Sequence, residues 1–305
     1  ISLLKTLIFA LLPIIVTIAL GYWAAARDYF DDQDSRKFVR LVMNFMLPLS
    51  VFSGIWSTPR KIIIQDIPLA GWLLVSMVGC YVLLLLVYRY VLHTELHIAS
   101  LRAMSVADPS VPFIGSAILP LIFGNSLSAI TIGVCTLIIN IIILPVVFGA
   151  LSSDGSLGSR VVNTLRKPLV VAALLGFILA LLGWQMPEQI AGSFELLGKG
   201  AGGLAIFATG IVLYTRKILV NVPIVLTVLG KNVIFPIVIL LIMMAAGAGS
   251  ELQRIVVLTL AIPTATMPTS LAIQFNVHES ELASTQFWST VCSFVTLAVF
   301  LVALS

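Results

Sequence analysis

Ten apolar runs, each about as long as a bilayer is thick, divide this chain of 305 residues. They lie near residues 3–26, 38–56, 68–92, 99–122, 126–151, 168–184, 194–214, 223–248, 252–275 and 283–304. A helix rises about 1.5 Å per residue, so some 20 apolar residues cross ~30 Å of hydrocarbon. Barrel strands would be half that length. The pattern predicts an all-α polytopic membrane protein with ten transmembrane helices. Composition closes off a water-soluble alternative: 10% of the residues are charged and 60% are hydrophobic, whereas a soluble domain carries about 25% charge.

The residue pattern also excludes several function classes. The net charge of +4 is spread singly between the apolar runs, so no nucleic-acid partner is expected. Cys80, Cys135 and Cys292 sit inside apolar runs without a C-x-x-C pair, which supports neither a disulfide framework nor a metal site. No H-E-x-x-H, G-x-S-x-G or G-x-x-x-x-G-K-[ST] motif occurs, so neither an enzyme nor a nucleotide-driven pump is indicated, and no cofactor is expected. His93, His97 and His278 fall between the runs and read as solvated loop residues. No ring of charge suggests a channel filter. The first run is read as a membrane helix and not as a cleaved signal, because no cleavage-like flank follows it.

Lysine and arginine set the orientation. Twelve lie toward one side, among them Arg27, Arg36, Lys37, Arg102, Arg166, Lys167 and Arg216, against Lys5, Arg60, Lys61, Lys199 and Arg254 on the other. The positive-inside rule then puts both termini outside and the 152–167 connection in the cytoplasm. Lys199 and Lys231 fall inside runs and read as snorkelling side chains.

The halves echo one another. Phe52-Ser53-Gly54-Ile55 resembles Phe207-Ala208-Thr209-Gly210-Ile211, Arg60-Lys61-Ile62 resembles Arg216-Lys217-Ile218, and Pro68 matches Pro223. Ala107-Asp108-Pro109 resembles Ala261-Ile262-Pro263, and Cys135 matches Cys292. These landmarks are offset by 154 to 157 residues (263 − 109 and 292 − 135 at the extremes). The expected units are a first repeat over 1–151, a connection over 152–167 and a second repeat over 168–305. Five spans per half is odd, so the second half enters from the opposite side: an inverted repeat, the plan of many secondary transporters.

Two runs cannot be continuous helices. The fourth holds Pro109 and Pro112, the ninth Pro263 and Pro268, each pair near mid-run. Proline removes an amide donor and clashes with the carbonyl four residues back, so each pair should unwind a turn. Unwound backbone at membrane depth survives only where it is buried or lines a polar cavity. Breaks at matching places in both repeats therefore mark the expected binding site. The half-helices beginning near Pro112 and Pro268 would aim positive N-terminal ends inward, which suits an anion. Candidate substrate-binding residues are Ser110, Val111, Phe113, Asn140, Thr264, Thr266, Thr269, Ser289 and Ser293; of these, Ser110, Asn140, Thr264, Thr266 and Thr269 are expected to line one cavity. For Ser289 and Ser293, and for Thr290 beside them, helix packing is the competing role. Asp108 is the carboxylate placed near the membrane middle, where an isolated charge is costly. It is the candidate coupling residue, with capping of the break as the alternative. Protons are the first choice of coupling ion and sodium, held by unwound carbonyls, the second.

These residues resemble the auxin efflux carrier family in its bacterial branch, over essentially the whole chain. The resemblance rests on Leu12-Pro13 through Leu20-Gly21-Tyr22, Asn44-Phe45-Met46-Leu47-Pro48, Pro109 through Gly124, and Arg166-Lys167-Pro168-Leu169 through Gly176. Gly198 through Gly210, Ala261 through Ala265 and Ser289 through Ser293 complete it. Among bacterial members the chain is most similar to malonate transporters. The resemblance implies a scaffold of spans 1, 2, 6 and 7, a mobile unit of spans 3–5 and 8–10, crossing broken spans 4 and 9, a bacterial inner membrane and a homodimer. One departure is plain: where the family commonly has an Asn-Thr-Gly-Phe-like turn, this chain has Ser110-Val111-Pro112-Phe113. The expected function is secondary transport of a small organic anion, a dicarboxylate such as malonate. Uncoupled efflux of an organic anion and an ion-exchanging or sensory protein are the alternatives.

The topology is checked by a cysteine placed at Ser156. It should react with a membrane-impermeant thiol reagent only after the cytoplasmic face is opened; labelling of intact cells overturns the orientation.

Overall fold

The computed structural model describes residues 2–57, 59–60, 66–152, 162–163, 165–184 and 186–304. Among these the chain is helical, and a single β-bridge joins Pro109 to Thr264. Twelve helical runs of eight or more residues follow one another among the described residues. The first half holds α1 (Ser2–Ala26), α2 (Asp32–Trp56), α3 (Ile67–Val91), α4 (Leu96–Ala107), α5 (111–123) and α6 (125–151). The second holds α7 (Pro168–Leu181), α8 (188–216), α9 (Val222–Ala245), α10 (Ser250–Ala261), α11 (Met267–Phe275) and α12 (Glu279–Ala303). Among the described residues six helices are long and apolar enough to cross a membrane, and Leu12–Ala26 and Pro168–Leu181 are shorter apolar helices. The ten apolar runs of the sequence all fall on these helices, the fourth and ninth divided between two.

Several edges lie beyond the apolar runs, because capping and not hydrophobicity sets them. α2 begins at Asp32, where the Asp31 carboxylate accepts from Asp34 N–H and the Asp34 side chain accepts from Asp31 N–H, a reciprocal cap that satisfies two orphan donors. The Asp66 side chain accepts from Leu69 N–H to start α3, and the Asn221 side chain accepts from Ile224 N–H to start α9. Each is followed by a proline in the first turn, where the missing N–H costs nothing. The two caps stand 155 residues apart (221 − 66). A turn at Gly124, with φ of 77°, divides α5 from α6, and only glycine adopts that backbone without strain.

The same step recurs in packing. α1 lies on the second part of α8, and α7 lies on α2. At Gly21 a β-carbon would stand 2.1 Å from the Phe207 carbonyl oxygen; at Gly176 it would stand 3.0 Å from the Phe52 carbonyl oxygen. Both pairs are related by 155 residues (176 − 21 and 207 − 52). Gly210 returns the contact on α1, with 2.1 Å to the Ile18 carbonyl oxygen. Backbones this close gain dispersion contacts that lipid does not compete for, the usual means of holding membrane helices together.

Gly210→Ala should therefore force α1 and α8 apart. A drop in melting temperature or loss of folded yield is expected, against little change for Gly79→Ala, where nothing lies within 4 Å of the added methyl. Overpacking of this kind costs about 1–3 kcal/mol; equal melting of the two variants in detergent overturns the packing argument.

Candidate functional site

The breaks predicted from the prolines meet. α4 stops at Ala107 and α10 at Ala261, and the segments beyond them run antiparallel across one another. Ser110 N–H donates to the Pro263 carbonyl at 2.9 Å, and Ala265 N–H donates to the Asp108 carbonyl at 3.0 Å. Each break thus supplies the hydrogen-bond partner the other has lost, which is how unwound backbone survives away from water. The bridged pair, Pro109 and Thr264, is 155 residues apart.

In the second break the lost hydrogen bond can be traced atom by atom. A continuous helix would join Thr264 N–H to the Leu260 carbonyl. Instead Thr264 N–H donates to Ser289 Oγ at 3.1 Å, and the Ser289 hydroxyl donates to Asn232 Oδ1 at 2.6 Å. Asn232 also donates to the Ser289 carbonyl at 2.8 Å. The freed Leu260 carbonyl accepts from Lys231 Nζ at 2.9 Å. Lys231 and Asn232 share a π-helical turn of α9, Gly230–Ile234, and both are buried. Such a turn carries an extra residue and is frequent at functional sites. Lys231 does not snorkel: it is 0% exposed, because its ammonium is held by a carbonyl inside the protein. No charge pattern in the sequence distinguishes it from the exposed lysines.

Beside the crossing lies a cavity of about 430 Å³. Its walls come from two groups of helices. α2 and α8 contribute Leu47, Ser50, Gly198 and Lys199; the breaks and α6 contribute Asp108, Val111, Thr266, Met267, Thr136 and Asn140. Val111 and Met267 are the first residues of α5 and α11, so two positive helix ends border the space. Lys199 is 75% exposed and pairs with Glu195 at 2.5 Å; the cavity reaches the surface there.

The candidate residues divide accordingly. Asp108, Pro109, Val111, Asn140 and Thr266 line the cavity. Ser110, Thr264 and Thr269 are buried and are not among the lining residues, although their neighbours Pro109, Val111 and Thr266 are, and the Thr264 hydroxyl is buried without a partner. Pro263 accepts at the crossing, and Pro268 opens α11 within its first turn. Thr269 donates to the Leu282 carbonyl at 3.1 Å. Ser289 serves the break, and Ser293 donates to the Thr290 carbonyl of its own helix at 2.6 Å. The side chains of Phe113 and Pro112 lie outside the described residues. Asn140 donates to the Thr136 carbonyl at 2.8 Å, while its Oδ1 is buried without a partner. No group of three metal-ligating side chains occurs among the described residues.

At the opposite ends of α2 and α8 stands a charged cluster. Arg36 meets Glu279 at 2.8 Å, Arg216 meets Asp32 at 3.1 Å, and Arg102 grips Glu281 with contacts of 2.6 and 3.0 Å. These pairs tie α2 and α8 to α4 and α12.

The arrangement has relatives. A model of the membrane transport protein family matches residues 6–301. The chain belongs to this family, that of the auxin efflux carriers. It is 32% identical to the uncharacterized transporter YfdV of Escherichia coli strain K12 over 277 residues, 88% of each chain. It is 29% identical to auxin efflux carrier component 8 of Arabidopsis thaliana over 126 residues, 39% of this chain and 34% of that protein. The protein is therefore a membrane transporter and not an enzyme.

The bonds at the second break give unequal expectations for two neighbouring serines. Ser289→Ala leaves Thr264 N–H and Asn232 Oδ1 unpaired, at about 1–3 kcal/mol for each buried group. Ser293→Ala removes a bond within one helix and should cost less than about 1 kcal/mol. Melting temperatures in detergent should rank Ser293→Ala well above Ser289→Ala; the reverse order removes the bridging role of Ser289.

Proposed function

We propose that the protein is a secondary transporter of a small organic anion, working by alternating access at the crossing. The observation that carries this is the cavity itself, which lies between two helix groups and against both breaks. In this reading the chain crosses the membrane ten times as two inverted five-helix repeats, over 1–151 and 168–305. The 155-residue step shared by caps, glycine contacts and bridge supports it. The scaffold is α1, α2, α7 and α8; the transport unit is the remainder, with α4–α5 and α10–α11 as broken spans. A bacterial inner membrane, both termini outside and a homodimer complete the proposal.

Two features favour an anion of carboxylate type. The N-terminal ends of α5 and α11 present partial positive charge where the backbone is unwound. Asn140 Oδ1, a buried acceptor without a partner, calls for a donor on the ligand, which a half-protonated dicarboxylate supplies. Malonate is the named candidate. The cavity reaches the surface beside Lys199, whereas the Arg36, Arg102 and Arg216 pairs hold the other ends together. In the proposed orientation those pairs lie on the arginine-rich, cytoplasmic face.

Uptake of such an anion has to be driven. A dianion entering a cell held ~100 mV negative climbs about 4.6 kcal/mol, twice the ~2.3 kcal/mol per charge. That corresponds to a roughly 2000-fold gradient favouring exit. At least two monovalent cations must enter with each dianion to cancel it. One proton on Asp108 and one on the substrate meet that requirement, with sodium as the alternative ion. Uncoupled efflux is the outcome if no gradient drives accumulation.

The test is proteoliposome uptake of labelled malonate under imposed proton or sodium gradients, for wild type and Asp108→Asn. A coupling role predicts lost accumulation with substrate exchange largely kept. Normal accumulation by the variant makes Asp108 a structural cap.

A further inference from the structure

We propose that Lys231 is a resident cation of the crossing, a tethered ammonium that occupies the carbonyl site where a metal cation would otherwise bind and serves as counter-charge to Asp108. This rests on the coupling role given above to Asp108.

The argument begins at the Leu260 carbonyl. The break frees it, and a freed carbonyl at the end of a half-helix is the usual ligand for a transported cation. Here Lys231 Nζ already holds it at 2.9 Å. The Phe235 ring, 5.6 Å away, covers the ammonium on another side. A fully buried charge requires a partner. Gly230, the preceding residue, packs against Val106, its β-position 3.7 Å from Val106 Cγ2. That places the turn beside the end of α4, two residues before Asp108. The titratable groups around this turn are Asp108, Cys80 and Cys135, and no direct ion pair joins Lys231 to Asp108 among the described residues. The residue one repeat step earlier, Ser76 (231 − 155), is a buried hydroxyl without a partner. The two breaks are therefore chemically unequal: one has an ammonium and the other does not.

A coupling cycle follows from charge alone. With Asp108 ionised, the pair is neutral and has little hold on an anion. When the carboxylate takes a proton from the open side, the pair carries a net charge of about +1 and attracts one. The proton then travels with the anion and leaves on the other side, restoring the neutral pair. No sodium site remains at this break, because the ammonium fills it.

The experiment uses the purified full-length protein in detergent and reads thermal unfolding for wild type, Lys231→Met, Lys231→Arg, Asp108→Asn and Asp108→Asn/Lys231→Met. Leaving one buried charge uncompensated costs more than removing both. Lys231→Met should melt roughly 5–10 °C below wild type, and the double variant should recover at least half of that loss. Lys231→Arg should lie above Lys231→Met. A double variant melting below Lys231→Met overturns the pairing. If Lys231→Met yields no folded protein, a folded double variant supports the pair and an unfolded one overturns it. In a second arm, wild type should melt at the same temperature in sodium and choline chloride at equal ionic strength. A sodium-specific rise overturns the resident cation. Malonate uptake by wild type is measured separately: its absence removes the proposed substrate and leaves the melting result to decide the pair.

Discussion

Two hydrogen bonds hold the centre of this transporter. They run from Ser110 N–H to the Pro263 carbonyl and from Ala265 N–H to the Asp108 carbonyl. Prolines make both helices stop, and a stopped helix in hydrocarbon leaves backbone groups whose exposure costs several kcal/mol each. Bringing the two stops together satisfies part of that need at once. The remaining needs recruit particular side chains: Ser289 and Asn232 for the Thr264 amide, Lys231 for the Leu260 carbonyl. The polar character of this region follows from the breaks themselves.

The cavity is a consequence of the same crossing. α5 and α11 start where the unwound segments end, so their N-terminal ends border a space that Asp108, Thr266 and Asn140 also line. The facing wall, from α2 and α8, belongs to a tightly built body. Glycines let α1 reach the α8 backbone and α7 reach that of α2. Close backbone packing resists shear, and the Arg36, Arg102 and Arg216 pairs tie α2 and α8 to α4 and α12.

Much of the fold was legible because hydrocarbon imposes a simple length rule and proline a simple local one. Both breaks could be read from those rules. The site was less legible. Ser110, Thr264 and Thr269 carry the hydroxyls that invite assignment to a cavity, yet their side chains are buried away from it. Asn140 and Thr266, no more distinctive in sequence, face the open space. Lys231 was misread as a snorkelling residue, since position within an apolar run says nothing about which face of the helix it occupies.

The sequence by itself determined where the chain is apolar, where it must break and how far apart the matching breaks lie. Those properties depend on composition and on bonds between near neighbours. Only the tertiary structure decided which atoms answer the broken hydrogen bonds. Leu260 and Lys231 are 29 residues apart, Thr264 and Ser289 are 25 apart, and Asp108 and Ala265 meet from opposite halves. Their encounter depends on how helices rotate and pack, and an extra residue in the turn at Gly230–Ile234 turns two adjacent side chains toward one break.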